Sequence, residues 1–408
     1  MARLTEFPHD RLENPPEAEP KRTRPVGRAY RRFWQRGRMD IPFFLLTLLL
    51  LAVGLVMLLS ASYADAYYER GIENPMHYFN KQLIFAVVGV AAMLLMSYIS
   101  LDVLRPLGLF GLLFTAALLL VVKLTGLNGN GAVRWISIGG LTFQPSELAK
   151  AAIVLAFSKW IADRGDRMGK LKSLLPFAIT LVIFGTLLLI QPHLSATIIL
   201  VLLGLLMLFA GGVKWYWFAG AAVLGLLILV YVQGNAAELV AKLDESDSYQ
   251  LARISAWLDP EGHKLEGGWQ ILQSLYAIGS GGLLGLGLGN SRQKYLYLPE
   301  EQNDYIFPII CEELGFVGAT LILLLFAVLI IRGFWLAIHC KDSYQRMMVV
   351  GFTGLLAIHV FLNVGVVTNL LPSTGISLPF FSYGGSALVV QLAEIGIILS
   401  ASRNIENK

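Results

Sequence analysis

The chain contains 408 residues, of which 56% are hydrophobic and 15% are charged, and its formal net charge is +4. Soluble domains contain roughly 45–50% apolar and about 25% charged residues, so the composition excludes a soluble enzyme, a disordered protein and a secreted disulfide scaffold. It predicts an all-α polytopic membrane protein, and the mean hydropathy of +0.63 supports the same conclusion.

The first 40 residues are polar, contain prolines and become basic toward the first apolar stretch. Their clustered basic residues are Lys21, Arg22, Arg24, Arg28, Arg31, Arg32, Arg36 and Arg38. Such residues beside a first span favour a cytoplasmic N-terminus and contact with anionic membrane lipids over a nucleic-acid partner. The tail over 1–40 is predicted to be disordered. It lacks the short apolar region and cleavage site of a signal peptide, so the first span should stay as an anchor.

Apolar stretches long enough to cross a hydrocarbon core recur along the rest of the chain, and they predict about ten transmembrane helices. Their residue ranges are 41–62, 81–99, 105–123, 145–162, 173–191, 193–211, 215–232, 305–331, 346–367 and 383–402. Lysine and arginine residues concentrate in the loops on one side, which predicts that both termini are cytoplasmic. The membrane domain should cover 41–402, with 403–408 as a short cytoplasmic C-terminus. Cys311 and Cys340 fall toward opposite faces, so no disulfide is expected.

One connection, residues 233–304, lies on the predicted outer face between the seventh and eighth helices. A loop of this length is usually functional. Its glycines at 281, 282, 285, 287 and 289 do not follow the dinucleotide-binding fingerprint, and no predicted strand precedes them. Irregular backbone at membrane depth survives only where protein or water covers it, so we expect close packing or a re-entrant turn there.

A first polar cluster lies at the outer end of the fourth predicted helix. Glu147 and Lys150 are three residues apart, so they share one helical face about a turn inside the membrane. They either neutralise each other within the helix, or Lys150 faces a cavity and partners an acid from another helix. Arg134 and Trp135 lie in the preceding outer loop.

A second polar cluster ends the long loop and opens the eighth predicted helix. Asp304 is placed at the boundary between water and lipid, where it could simply cap the helix. Glu312 and Glu313 follow two to three turns deeper. Because charged groups within a membrane helix are costly and usually functional, we expect these carboxylates to line a polar cavity.

A third cluster, LPSTGISLPFFSYGGS, leads into the last predicted helix. Ser382 and Ser386 offer hydroxyl groups beside backbone amides near a helix start, an arrangement that can hold a phosphate. A tightly packed turn is the equally weighted alternative.

Other kinds of site are not indicated. The six histidines show no HExxH or other metal-ligand spacing, and neither a Walker loop nor a GxSxG motif occurs. The chemistry must therefore depend on carboxylates and basic groups. The sequence assigns no metal ligands, and a divalent cation (Mg²⁺ or Mn²⁺) remains open as a cofactor.

These motifs together resemble the SEDS family (shape, elongation, division and sporulation), whose members include FtsW, RodA and SpoVE. The matching segments are NGAVRW, QPSELAK, LPEEQNDYIF with EELG, and LPFFSYGGS. The resemblance extends in the right order from the first helix to the last. The basic N-terminal extension and the residues of the second and third clusters are closer to the FtsW and SpoVE branch than to RodA.

The resemblance implies a peptidoglycan glycosyltransferase that polymerises lipid II on the outer face of the bacterial cytoplasmic membrane, for cell division or sporulation. It also implies a class B penicillin-binding protein as the crosslinking partner, together with other division proteins. Asp304 matches the family's essential aspartate, and Glu147 and Lys150 match the acid and base of its QPSExxK motif. Arg134 and Trp135 match its RW pair.

One position departs from the family pattern. The family often reads QPDLG where this chain reads QPHLS, so His193 replaces a frequent carboxylate. Any ion-binding or proton role of that carboxylate is therefore in doubt here, although His193 remains a candidate for substrate binding.

In the implied reaction, the 4-hydroxyl of an acceptor sugar attacks the anomeric carbon of a lipid-linked donor and expels undecaprenyl pyrophosphate with inversion. One general base suffices for such a step, and we expect Asp304 to be that base. Arg134 and Lys150 are the candidates to stabilise the pyrophosphate. Lys150 could instead pair with Asp304 and hold it ionised.

Two other functions fit part of the pattern. A flippase for the lipid-linked precursor would suit many helices with intramembrane charges, but transporter sites usually lie near the midplane, whereas these clusters collect at the outer face. A non-catalytic division scaffold would leave the outer carboxylates unexplained. The polymerase is therefore the favoured interpretation.

Overall fold

The computed structural model describes residues 33–35, 37–69, 74–125, 127–129, 132–138, 141–235, 240, 249–265 and 267–405. Most of the basic tail that is predicted to be disordered lies outside the described residues, as do the last three residues of the C-terminus.

The described chain is mostly helical. Its α-helices of more than one turn are α1 Ile41–Ala64, α2 His77–Tyr98, α3 Leu107–Thr125, α4 Pro145–Arg164, α5 Leu171–Ile190, α6 Leu194–Ala210, α7 Trp215–Gly234, α8 Tyr249–Leu258, α9 Gly267–Ser280, α10 Ile306–His339, α11 Ser343–Val367 and α12 Gly385–Ser402. Ten of them coincide with the predicted spans, while α8 and α9 lie within the long loop.

Eight described helices are long and apolar enough to cross a membrane, which confirms the prediction of a polytopic membrane protein. The other two that match predicted spans are α4, which carries several charged side chains, and α6, which is apolar but only 17 residues long. Cys311 and Cys340 are buried free thiols, so the expectation that they form no disulfide is confirmed.

Capping side chains fix where two of the long helices begin. Asp40 accepts a hydrogen bond from the Phe43 amide at 2.9 Å, and its carboxylate forms an ion pair with Arg332 of α10 at 2.6 Å. Asp342 caps α11 by accepting from the Gln345 amide at 3.2 Å. Such caps satisfy amides that would otherwise lack a partner. Helix α11 is largely buried and packs against α4, α6, α10 and α12, which makes it the central helix of the described bundle.

The all-α prediction is wrong in one region. Strands β1 Leu127–Gly129, β2 Ala132–Ile138 and β3 Leu141–Phe143 form a small antiparallel sheet in the order β1-β2-β3. The segment AVRWISI of β2 is rich in β-branched and aromatic residues, which favour a strand over a helix. The sheet places Arg134 on a paired strand that lies shortly before α4.

The two helices of the long loop pack onto the C-terminal end of α11 and the segment that follows it. The Trp257 indole of α8 donates to the Asn369 carbonyl at 3.1 Å, and the Ser274 hydroxyl of α9 donates to the Val367 carbonyl at 2.6 Å. These contacts place α8 and α9 against the C-terminal end of α11 and the residues that follow it.

The glycine-rich turn after α9 is closely packed, as predicted. Helix α10 is broken at Gly315 (φ +67°), and the freed groups pair with the turn: the Leu286 amide donates to the Glu312 carbonyl at 3.0 Å, and the Phe316 amide donates to the Gly282 carbonyl at 2.9 Å. A Cβ atom at Gly285 would clash with the carbonyl oxygen of residue 313. Only glycine permits this approach, and the pairing satisfies the irregular backbone internally.

Candidate active site

The two deeper carboxylates of α10 are structural. Glu313 is fully buried and pairs with Lys294 at 3.0 Å, and it accepts a hydrogen bond from Ser60 at 2.7 Å. Glu312 is also buried, and it accepts bonds from Ser291 and from the Arg292 amide, the latter at 3.2 Å. The expectation that these carboxylates line a polar cavity is therefore wrong. They hold the turn of residues 281–294 against α10.

Asp304, two residues before α10, is held differently. Its backbone carbonyl accepts a bond from the Asn363 amide of α11 at 2.9 Å, but among the described residues its carboxylate makes no hydrogen bond or ion pair. The cap position of α10 belongs to Tyr305, so helix capping does not explain Asp304. The side chain keeps part of its accessible surface. A carboxylate with unused acceptors and an open face is available to a ligand.

Burial and three charged groups set the ionisation of Asp304. Burial within the surrounding protein raises its pKa to about 6, and the Glu300 carboxylate also raises it, while the Arg253 and Arg134 guanidinium groups oppose the shift. A pKa near neutrality is what a general base needs, because both the ionised form and a reasonable proton affinity are then present.

Gly375 keeps the face of this carboxylate open. Its φ is +66°, and a Cβ atom there would lie 2.7 Å from Asp304 Oδ2. The residue lies in the segment between α11 and α12, so that segment forms one wall of the site.

Arg134 lies on β2 and reaches the same region. Its Nη2 donates to the Pro192 carbonyl, and its charge acts on both Asp304 and His193. The sheet therefore brings residue 134 close to residue 304, although the two are far apart in the sequence. Trp135 follows on β2 and is partly buried. Because side chains alternate along a strand, it faces away from Arg134, and no described contact connects it with Asp304.

His193 is buried just before α6, with its Nε2 3.4 Å from the amide nitrogen of Gln144. Burial lowers its pKa to about 3, and the charges of Arg134 and Lys150 act in the same direction. The imidazole is therefore neutral at physiological pH. It brings no negative charge to a position where the family often has a carboxylate.

Glu147 and Lys150 form an ion pair within α4 at 2.8 Å, which confirms the first of the two alternatives for them. The Lys150 ammonium also lies 3.0 Å from His359 Nε2 of α11. Since an ammonium only donates, that imidazole nitrogen accepts. Pairing of Lys150 with Asp304 is not observed, because among the described residues the ammonium bonds to Glu147 and His359 instead.

Glu147 also lines a narrow cleft between α4, α11 and α12. His359, Gln391 and Glu394 supply the other polar groups of its wall. Glu394 lies within the electrostatic range of Lys150 and Glu147, so an acid from another helix does approach the lysine. No ion pair joins Lys150 to an acid from another helix among the described residues, so the second alternative stays a prediction.

One helix links the two ionic groups. His359 and Asn363 are a single turn apart on α11; the first contacts Lys150 and the second holds the backbone of Asp304. A shift of α11 would therefore move both groups together.

The third predicted cluster forms a packed turn at Ser382. Its hydroxyl accepts from the Leu378 amide at 2.7 Å, and its carbonyl accepts from the Gln82 side chain at 3.1 Å. The packed-turn alternative therefore describes this residue, and phosphate binding by Ser382 stays a prediction. The Ser386 hydroxyl is buried and has no hydrogen-bond partner among the described residues.

Sequence reasoning missed four residues of these sites: Arg253, His359, Gly375 and Glu394. Glu394 and His359 carried a signal, because each is an ionisable residue within an otherwise apolar helix. Arg253 and Gly375 carried none, because the folding of two loops brings them to Asp304.

The fold and the site define a helical membrane protein in which an open carboxylate and two arginines meet at the end of a long broken helix. The chain belongs to the FtsW, RodA and SpoVE family of cell cycle proteins, whose match covers residues 41–407. The family assignment made from the sequence motifs is confirmed.

Curated relatives are similar over nearly their whole length. The chain is 38% identical to the stage V sporulation protein E of Bacillus subtilis, over 89% of this chain and 97% of that protein. It is 35% identical to the probable peptidoglycan glycosyltransferase FtsW of Trichlorobacter lovleyi, over 92% of this chain and 96% of that protein.

Solved structures share the fold. A chain of a peptidoglycan synthase complex, studied for the coordination of polymerisation and crosslinking, matches with a TM-score of 0.72 and 27% identity, over 91% of this chain and 99% of that chain. The rod shape determining protein RodA of Thermus thermophilus matches with a TM-score of 0.64 and 27% identity, over 91% of this chain and 98% of that chain.

Proposed function

We propose that this protein is a peptidoglycan glycosyltransferase that polymerises lipid II into glycan strands for cell division or sporulation. The observation that carries the proposal is the Asp304 carboxylate, which is unbonded among the described residues and lies within the fields of Arg253 and Arg134. The names of the FtsW relatives, which are probable peptidoglycan glycosyltransferases, support the same reaction class.

Asp304 acts as the general base. It takes the proton from the 4-hydroxyl of the acceptor sugar while that oxygen bonds to the anomeric carbon of the donor, and the bond to undecaprenyl pyrophosphate breaks with inversion. A single carboxylate is enough for this step. Arg134 stabilises the negative charge that develops on the leaving pyrophosphate.

Glu147 and Lys150 have a supporting role in the reaction. The ammonium is already engaged by Glu147 and His359, which favours a supporting role over direct binding of pyrophosphate. Trp135, His193, Ser382 and Ser386 remain predictions as substrate-binding residues.

The proposed topology has ten spans, both termini in the cytoplasm and the site on the outer face of the cytoplasmic membrane. The ten matching helices support it, because an even number returns the chain to its starting side. The Asp304 site then lies where a substrate head group sits while its lipid tail stays in the bilayer.

A divalent cation remains a prediction without a protein site. No group of three histidine, cysteine or acidic side chains among the described residues could hold a metal ion. No step of the proposed reaction passes through such an ion.

A class B penicillin-binding protein is the proposed crosslinking partner, with other division proteins around the pair and anionic lipids at the basic tail. The structural match to a chain from a peptidoglycan synthase complex supports a paired assembly. Co-purification of the two membrane proteins tests it.

The direct test is polymerisation of labelled lipid II by the purified protein in detergent. Wild type should form glycan chains, and Asp304→Asn should form none. The matched control is Asp259→Asn, since Asp259 is an exposed aspartate of the same loop whose carboxylate accepts a bond from the nearby Gly262 amide. Glycan formed at the wild-type rate by Asp304→Asn would remove Asp304 from the mechanism.

A flippase is the second candidate, because the cleft with Glu147, His359 and Glu394 places ionisable groups within the helical bundle. Translocation of lipid II in vesicles by Asp304→Asn, combined with absence of polymer from wild type, would favour it.

A further inference from the structure

Arg253 projects from α8 toward the Asp304 site. Its Nη1 donates to the Ser373 carbonyl at 3.2 Å, in the segment between α11 and α12. A Cβ atom built on Gly375 would lie 2.7 Å from Asp304 Oδ2 and 3.9 Å from Arg253 Nη1. The guanidinium and the carboxylate therefore face the same small volume beside Gly375.

The position of Arg253 is determined by how α8 packs. One turn along the helix, Trp257 is buried and donates to the Asn369 carbonyl at 3.1 Å. The two bonds seat one face of α8 along residues 369–373. The Ser373 carbonyl orients the guanidinium, and the charge of Arg253 acts on Asp304.

The groups that act on Asp304 come from four elements. Glu300 lies in the same turn, Arg253 on α8 and Arg134 on β2, and the Tyr305 side chain adjoins it at the start of α10. Of the two cations, Arg253 has the larger effect. Glu300 and burial disfavour the ionised form of Asp304, whereas Arg253 and Arg134 favour it.

We propose that Arg253 is a positioning residue that keeps Asp304 ionised, and that the packing of α8 on residues 369–373 delivers it. The inference rests on the proposed function, in which Asp304 is the general base. The long outer loop thereby gains a specific role, because it supplies the charge that makes the base competent. Without that charge, Asp304 binds its proton more tightly, so it is less often in the ionised form that can accept a proton from the substrate.

The first test does not depend on activity. A carbodiimide modifies protonated carboxyl groups, and mass spectrometry of the digested protein reports modification of Asp304 as a function of pH. Loss of a positive charge raises the pKa of Asp304, so the midpoint of labelling should move to higher pH in Arg253→Gln. A shift of about one pH unit corresponds to a tenfold change in the ionisation equilibrium.

Matched variants define what the shift means. Arg253→Lys keeps the charge and should leave the midpoint near that of wild type. Arg134→Gln should shift it in the same direction but less. Arg292→Gln changes an exposed arginine of the same loop and should not shift it. Thermal unfolding shows whether Arg253→Gln is folded, and an unchanged midpoint in the folded variant would overturn the proposal. If Arg253→Gln does not fold, Trp257→Phe is compared with Arg253→Lys. Trp257→Phe weakens the packing of α8 and should raise the midpoint, whereas Arg253→Lys should not.

The second test uses polymerisation. The wild-type rate should rise as the pH increases through about 6, where Asp304 ionises. In Arg253→Gln this rise should move to higher pH, with most of the rate recovered at alkaline pH. An equal loss of rate at every pH would contradict the inference. Absence of polymer from wild type would instead contradict the proposed function, and the labelling result would still decide the role of Arg253.

Discussion

The N-terminal part of helix α10 and the turn before it carry two kinds of carboxylate. Glu312 and Glu313 are engaged by partners from the turn of residues 281–294, with Ser60 of α1 as a further partner of Glu313, whereas Asp304 has backbone support and an unbonded carboxylate among the described residues. The three residues look alike in sequence, as acids entering a membrane helix. Their bonding separates them: a carboxylate whose acceptors are used by the protein holds structure, and one whose acceptors are left open can act on a substrate.

The largest effect on stability is expected for a substitution at Glu313. Glu313→Ala leaves the buried Lys294 ammonium without its counter-charge, and removing one partner of a buried ion pair typically costs about 3–5 kcal/mol. We expect a large fall in the thermal unfolding midpoint of the protein in detergent. Asp304→Asn, by contrast, should unfold at the wild-type temperature. Equal stability of the two variants would remove the distinction between them.

A substitution at Gly375 tests whether the Asp304 carboxylate must remain unobstructed. Gly375→Ala places a methyl group against Oδ2 and strains a backbone at φ +66°, which costs about 1–3 kcal/mol. Polymerisation should fall much more than stability does. The control is Gly282→Ala, since Gly282 also has a positive φ (+54°) but open space around it. If both variants lose stability and neither loses turnover, the open face of Asp304 has no catalytic importance.

The smallest effect is expected at His193. Because the imidazole is already neutral at physiological pH, His193→Asn preserves its charge and retains a side chain able to hydrogen bond. The pH dependence of polymerisation should not change between about pH 5 and 9, a range well above the lowered pKa of this imidazole. A displaced pH profile would show that His193 titrates in that range and takes part in proton transfer.

The sequence predicted the long helices well, because apolar length in a membrane is set by the thickness of the hydrocarbon core. It also singled out Asp304, Arg134 and the Glu147–Lys150 pair. The roles of Glu312 and Glu313 were not predictable, since their partners come from a glycine-rich turn whose path depends on tertiary packing. The role of Ser382 was not predictable either, because the sequence does not show that its hydroxyl accepts a hydrogen bond from an amide of its own turn.

Arg253 shows the limit of motif reasoning most clearly. No motif in the surrounding sequence identifies it as a site residue. It lies near Asp304 because α8 packs on the segment after α11. The strand at 132–138 is a milder case, because its β-favouring residues were visible but lay between strongly apolar helices.

That strand has an evolutionary corollary. Its partners are fixed by pairs such as Ile136 with Phe143, and successive side chains point to opposite faces. An insertion or deletion of a single codon within it would exchange the orientations of Arg134 and Trp135. This short stretch should therefore tolerate substitution better than any change in residue number, and mutations that alter its length should be selected against even where they leave every helix intact.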